Sequence, residues 1–173
     1  MTESRAGRSA SAFPVVAMLM AIAVAVGAAV PARAAVTCRI HDAGEVLSAL
    51  VSAPSGPAAQ GGSASSLQFV DPAGHAWDLI SDINDPAILN HGSGTFHAAD
   101  PVVVQGAIDA LAKDALGDLS VDIYLLPFPR RALLASNADE RGIYVSPGVY
   151  PYTPAQLHAL VVHELGHTWQ YKF

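Results

Sequence analysis

The sequence predicts a small α+β domain, and three observations carry that prediction. Apolar residues recur at helical spacing over 101–116 and again from 154 to about 171. Short β-rich runs stand at 67–70, 76–80, 121–126 and 143–146. The elements therefore come in the order hairpin, helix, strand, strand, helix. That order suits a short mixed or antiparallel sheet with a backing helix and a second helix at the C-terminal end.

Local signals justify each element. Asp71-Pro72-Ala73-Gly74 joins the first two runs, with proline second and glycine fourth as a type I turn prefers. Residues 81–99 hold Asn90-His91-Gly92-Ser93-Gly94 and read as a loop. Asp100 and Pro101 supply an N-cap and a first helical residue. Val104, Ile108, Leu111 and Ala115 mark that helix's apolar face, and Gly117 stops it. Pro127 and Pro129 end the strand 121–126, and Pro147-Gly148 close the strand 143–146. Thr153-Pro154 repeats the cap-and-proline signal. Leu157, Leu160, Val161, Leu165 and Trp169 then form the stripe of the last helix.

The 173 residues suit one domain. With 51% hydrophobic and 14% charged residues, the chain is not a disordered charged tail. Arg5 and Arg8 precede an uncharged apolar run over 14–30, and Ala32-Arg33-Ala34 follows it. A basic region, an apolar region and a small-x-small site in that order read as a signal peptide over 1–34, cleaved after Ala34. The run is marginal as a membrane span, so no stable span is expected after cleavage, and the location is secreted or periplasmic. Residues 35–66 form an N-terminal segment ending in a Ser/Gly/Pro-rich linker or loop, SAPSGPAAQGGSASS. The working domain is then 67–173.

Of 9 basic and 15 acidic residues, three and one fall within 1–34, leaving 6 against 14, a net charge of −8. An acidic surface argues against nucleic acid as a partner. A single cysteine, Cys38, gives no intramolecular disulfide.

The sharp chemical signal is His163-Glu164-Leu165-Gly166-His167, H-E-x-x-H on the last helix. Residues four apart share a helix face, so the two imidazoles can hold one Zn²⁺ at roughly 2.0–2.1 Å. Glu164 can reach a zinc-bound water, whose pKa falls to about 7, and act as its general base. Such a pattern arises by chance in on the order of one chain in a few hundred of this length, which makes metal binding the stronger reading. Gly166 is expected to let a neighbouring backbone approach the site. Trp77 reads as a core or interface aromatic, and Arg130-Arg131 as a solvated pair. Tyr150 and Tyr152 lie close before the helix.

HELGH on a capped helix, with the strand 143–146 ahead of it, resembles the zincin metallopeptidases. HELGHTWQ is also similar to zincin-like bacterial proteins with glutamine three residues after the second histidine, here Gln170. The resemblance covers 143–171, and more loosely 101–171. It implies a zincin-like upper subdomain, His163 and His167 as zinc ligands, and Glu164 as general base. It also implies that 143–146 is an edge strand binding an extended peptide or protein substrate. The metzincin pattern would need glycine at 170 and histidine at 173, where this chain has Gln170 and Phe173. A gluzincin-like pattern would place a glutamate downstream, and no carboxylate follows His167. The expectation is therefore a chain truncated after its active-site helix, or a third ligand drawn from His91, His97, Asp139, Glu140 or His158. Trp169 and Phe173 would be exposed unless a partner, a second copy or a missing segment covers them, so self-association through the C-terminal helix is expected.

The functional expectation is a secreted zinc-dependent metallopeptidase. The alternative is a truncated or degenerate zincin acting only as a secreted binding domain. A third reading makes HELGH purely structural.

Overall fold

The computed structural model describes residues 37–52, 67–111 and 119–172. The expected signal peptide lies outside the described residues. So do 53–66 of the expected linker and the end of the helix 101–116 from residue 112. The described residues belong to one unit, Arg33–Phe173.

The architecture is α+β, with two small sheets and three helices. The chain runs β1 (Thr37–His41), α1 (Ala43–Ser48), β2 (Leu50–Ser52), β3 (Leu67–Val70) and β4 (Ala76–Leu79). It continues through α2 (Pro101–Leu111), β5 (Ser120–Leu125), β6 (Asn137–Ala138), β7 (Gly142–Val145) and α3 (Pro154–Lys172). The main sheet has the order β1-β5-β7-β6. β1, β5 and β7 are parallel, and β6 is antiparallel to β7. The second sheet, β2-β3-β4, is antiparallel throughout.

Alternation along the central strands explains how both faces of the main sheet are covered. Val121, Ile123 and Leu125 of β5 and Ile143 and Val145 of β7 pack with Val104, Ala107 and Ile108 of α2 and Leu157, Val161 and Leu165 of α3. The intervening Tyr124 and Tyr144, with Leu126, face the other way and pack with Val46, Phe69 and Leu79. Tyr124 and Tyr144 are register partners whose rings stack at 5.3 Å. Gly142 allows the close start of β7: a Cβ there would sit 2.8 Å from the Asp122 carbonyl oxygen.

The hairpin forms as expected, and the Gly74 N–H donates to the Asp71 carbonyl across its turn at 2.9 Å. Two other expectations change. The sequence places 35–51 outside the working domain, yet β1 pairs along its length with β5, and β2 joins the hairpin. Cys38 and Ile40 supply the apolar face that makes β1 a sheet strand, packing against the α2/α3 side. The strand read at 143–146 is not an edge. β7 lies between β5 and β6, and the two-residue β6 ends the sheet instead.

Candidate metal centre

α3 begins with a reciprocal cap. The Gln156 N–H donates to Thr153 Oγ1 at 3.3 Å, and the Thr153 N–H donates back to Gln156 Oε1 at 3.0 Å. This fixes the helix start, and hence which residues face the sheet. The buried stripe is Leu157, Val161, Glu164, Leu165 and Thr168. The expected stripe had Trp169, which is 42% exposed. Thr168 takes the inward position and satisfies its hydroxyl on the Glu164 carbonyl at 3.1 Å.

The motif divides between two sides of α3. His163 and His167 are exposed, one turn apart, with Nε2 atoms 3.0 Å from each other. Two nitrogens on one tetrahedral zinc, each at roughly 2.0–2.1 Å, would stand about 3.3 Å apart. The pair therefore already converges to within a few tenths of an ångström of a shared-ion geometry. His167 Nδ1 lies 3.2 Å from Gln170 Oε1.

Glu164 points inward and is only 5% exposed. Burial raises its pKa. His163, His167, a hydrogen bond from the Ala138 N–H and the Arg130 charge oppose that shift. Its Oε2 has no hydrogen-bond partner among the described residues. A buried acceptor left unpaired costs about 1–3 kcal/mol, and it marks a place for a water or ligand. The Asp139 N–H bonds to Gly142 of β7. Strand alternation then turns the backbone groups of Ala138 away from β7, so its N–H is placed to meet Glu164.

The donor set accommodates zinc in part. Two imidazoles one turn apart are the right chemistry, and a catalytic site takes a third protein ligand. Among the described residues no group of three or more His, Cys, Asp or Glu side chains comes together to hold a metal. The expected donors are engaged elsewhere or apart. His91 Nε2 donates to the Ile88 carbonyl at 3.1 Å, and His97 Nε2 is 2.7 Å from Ser93 Oγ. Asp139 accepts from the Arg141 and Gly142 N–H groups in a turn. Glu140 and His158 are exposed and do not join the pair.

Other residues near the site depart from the sequence reading. A Cβ at Gly166 would have no neighbour within 4 Å among the described residues, so none of their backbones approaches it. Arg130 is 2% exposed, not solvated. Its guanidinium lies 4.8 Å from the ring centroids of both Trp77 and Tyr144, and it donates to Asn137 Oδ1 on β6. Burial lowers its pKa, opposed by the neighbouring Tyr144, Asp139 and Glu164. Arg131 does behave as a surface residue, paired with Asp85 at 2.7 Å. Nothing in the Arg130-Arg131 dipeptide distinguishes the two, because Trp77 and Tyr144 come from distant parts of the chain. Tyr152 is half-buried and donates to the Ser146 carbonyl at 2.9 Å, while Tyr150 is exposed.

Comparison with protein-family models, with curated proteins and with solved structures finds no match for the chain.

Proposed function

We propose that the chain is a secreted zinc-dependent metallopeptidase of zincin type. In this reading His163 and His167 hold the zinc, and Glu164 is the general base for peptide-bond hydrolysis. The observation that carries the reading is the arrangement on α3. Two imidazole Nε2 atoms converge at 3.0 Å on its exposed side, and Glu164 on its buried side has one oxygen unpartnered among the described residues. Zinc, when bound, supplies Lewis acidity and a water acidified to a pKa of about 7. Glu164 takes a proton at its carboxylate and returns it to the leaving amine. Its burial, which favours the protonated form, suits a group that must hold that proton between the two transfers. The edge residue Ala138 orients Glu164 through its N–H. Export is supported by the composition of residues 1–34. Among the described residues no helix is long and apolar enough to cross a membrane.

One observation favours a second reading, a secreted binding domain on a zincin scaffold without catalysis. The two histidines gather no third ligand among the described residues.

Zinc content and proteolysis of the purified chain decide between the readings. The metallopeptidase reading expects about one zinc per chain and cleavage of a denatured protein substrate. It expects His163→Ala to lose both. Glu164→Gln should keep the zinc and lower cleavage by at least about 100-fold, the scale of general-base catalysis. Weakly held zinc without cleavage in the unaltered chain supports the binding-domain reading. Metal content unchanged by His163→Ala and His167→Ala removes both readings.

A further inference from the structure

We infer that Gln170 is a positioning residue for the candidate metal centre, holding the His167 ring in the tautomer and orientation that leave Nε2 open to a metal ion. The use of this arrangement rests on the metallopeptidase reading, but its geometry does not.

His167 Nδ1 lies 3.2 Å from Gln170 Oε1. An amide oxygen only accepts, so Nδ1 must carry the hydrogen. A neutral imidazole has one N–H, so Nε2 is left with its lone pair. That nitrogen is the one facing His163, 3.0 Å away. Without an ion, His163 can donate its own Nε2–H across this gap. With one, both lone pairs can point at it.

The spacing makes the arrangement a property of the helix. Residues 167 and 170 are three apart on α3, where side chains three or four apart are neighbours. Both side chains are exposed, so His167 would otherwise be free to rotate and to exchange tautomers. No corresponding bond holds His163 Nδ1 among the described residues, so the pair is braced from one side only. The geometry also excludes a different role for Gln170. Its oxygen meets the ring nitrogen opposite Nε2, so it backs the imidazole and is not the missing third ligand. Hydrogen-bonded partners behind ligating histidines fix ring orientation and raise ligand basicity, and losing one typically weakens metal binding 10–100-fold.

The experiment has two arms, both on the full chain. In the metal-free protein, long-range ¹H–¹⁵N spectra read the His167 tautomer, with His167→Ala assigning the signals. The expected result is the Nδ1–H form in the unaltered chain and a mixture in Gln170→Leu. In the second arm, chelator competition reads zinc affinity. Gln170→Leu is expected to bind about 10–100-fold more weakly, and Gln170→Glu, which keeps an acceptor, to bind at least as tightly as the unaltered chain. An Nε2–H tautomer in the unaltered chain overturns the inference. So does zinc affinity unchanged in Gln170→Leu. If the unaltered chain holds no zinc, the metallopeptidase reading falls, and the spectra still decide whether Gln170 sets the tautomer.

Discussion

Replacing Arg130 tests how a buried cation without a contacting carboxylate among the described residues is tolerated beside the candidate site. Two ring contacts at 4.8 Å favour it by roughly 1–4 kcal/mol together. Its hydrogen bond to Asn137 adds about 1.5–3 kcal/mol. Against these stand a desolvation cost of several kcal/mol and an unpartnered buried Nε. The opposing contributions nearly cancel. Arg130→Met keeps much of the volume and removes both sides of the balance, so its stability should change by no more than about 1.5 kcal/mol. Arg130→Ala also leaves a cavity, and should lose about 2–5 kcal/mol. Urea denaturation at neutral pH measures both variants, with equal m-values required for the comparison. In Arg130→Met, Asn137 loses its donor, so amide exchange at Ala138 and Asp139 should quicken about 10-fold, the equivalent of about 1.4 kcal/mol of local opening. A methionine variant as unstable as the alanine variant refutes the reasoning, because the guanidinium would then stabilise the fold on balance.

Three further outcomes follow from the same structure. Asp71 is 4% exposed, and burial alone would raise its pKa. The His75 N–H at 2.9 Å, the His75 side chain and the Tyr144 hydroxyl outweigh burial and hold the pKa below its ordinary 3.8. Its depressed value adds stability that is present above the ordinary value and lost as pH falls through the folded one. Asp71→Asn should therefore be less stable at pH 7 and show a shallower acid limb; superimposable acid limbs count against this. Thr153→Ala removes the helix cap and should cost about 1 kcal/mol, roughly 4 °C in Tm for a domain of this size; an unchanged Tm means the cap is not limiting. Burial pushes the Cys38 thiol up to about 11, against Lys172, which lowers it, and with Asp122, which raises it. At pH 8 its reaction with a disulfide reagent should run at least about 10-fold slower than an unperturbed thiol, and reaction at the rate of free cysteine would contradict the burial.

What the sequence made legible was local. The start of α3 is written in four consecutive residues, Thr153 to Gln156, and the hairpin turn in Asp71 to Gly74. Both signals act within one turn of backbone. What it hid depended on distant pairing. β1 contains Arg39 and His41 and becomes a sheet strand because residues 37–41 align with 120–124. β6 is two residues long, too short for any period to show, and it takes the edge position expected of the longer 143–146 run. The motif residues could be named, but not the division of labour between the buried and exposed sides of α3. That division depends on where the helix starts and which of its residues the sheet accepts.

This division also settles which motif residue weighs most in the argument. Exposed histidines one turn apart cost the fold little, and a surface helix can carry them for no chemical reason. Glu164 is different. It occupies a buried stripe position between Val161 and Leu165, where an apolar side chain would remove the cost of an unpartnered Oε2, about 1–3 kcal/mol. Stability does not account for a carboxylate there, and neither does helix propensity, since leucine or alanine would serve the helix at least as well. The buried residue is therefore the informative one. A structural HELGH would be expected to turn its glutamate to solvent, whereas this chain turns it toward Ala138 and the end of the sheet. Placing a destabilising group where chemistry would use it is the usual compromise of an active site, and it is the physical ground for preferring the catalytic proposal to a coincidental motif.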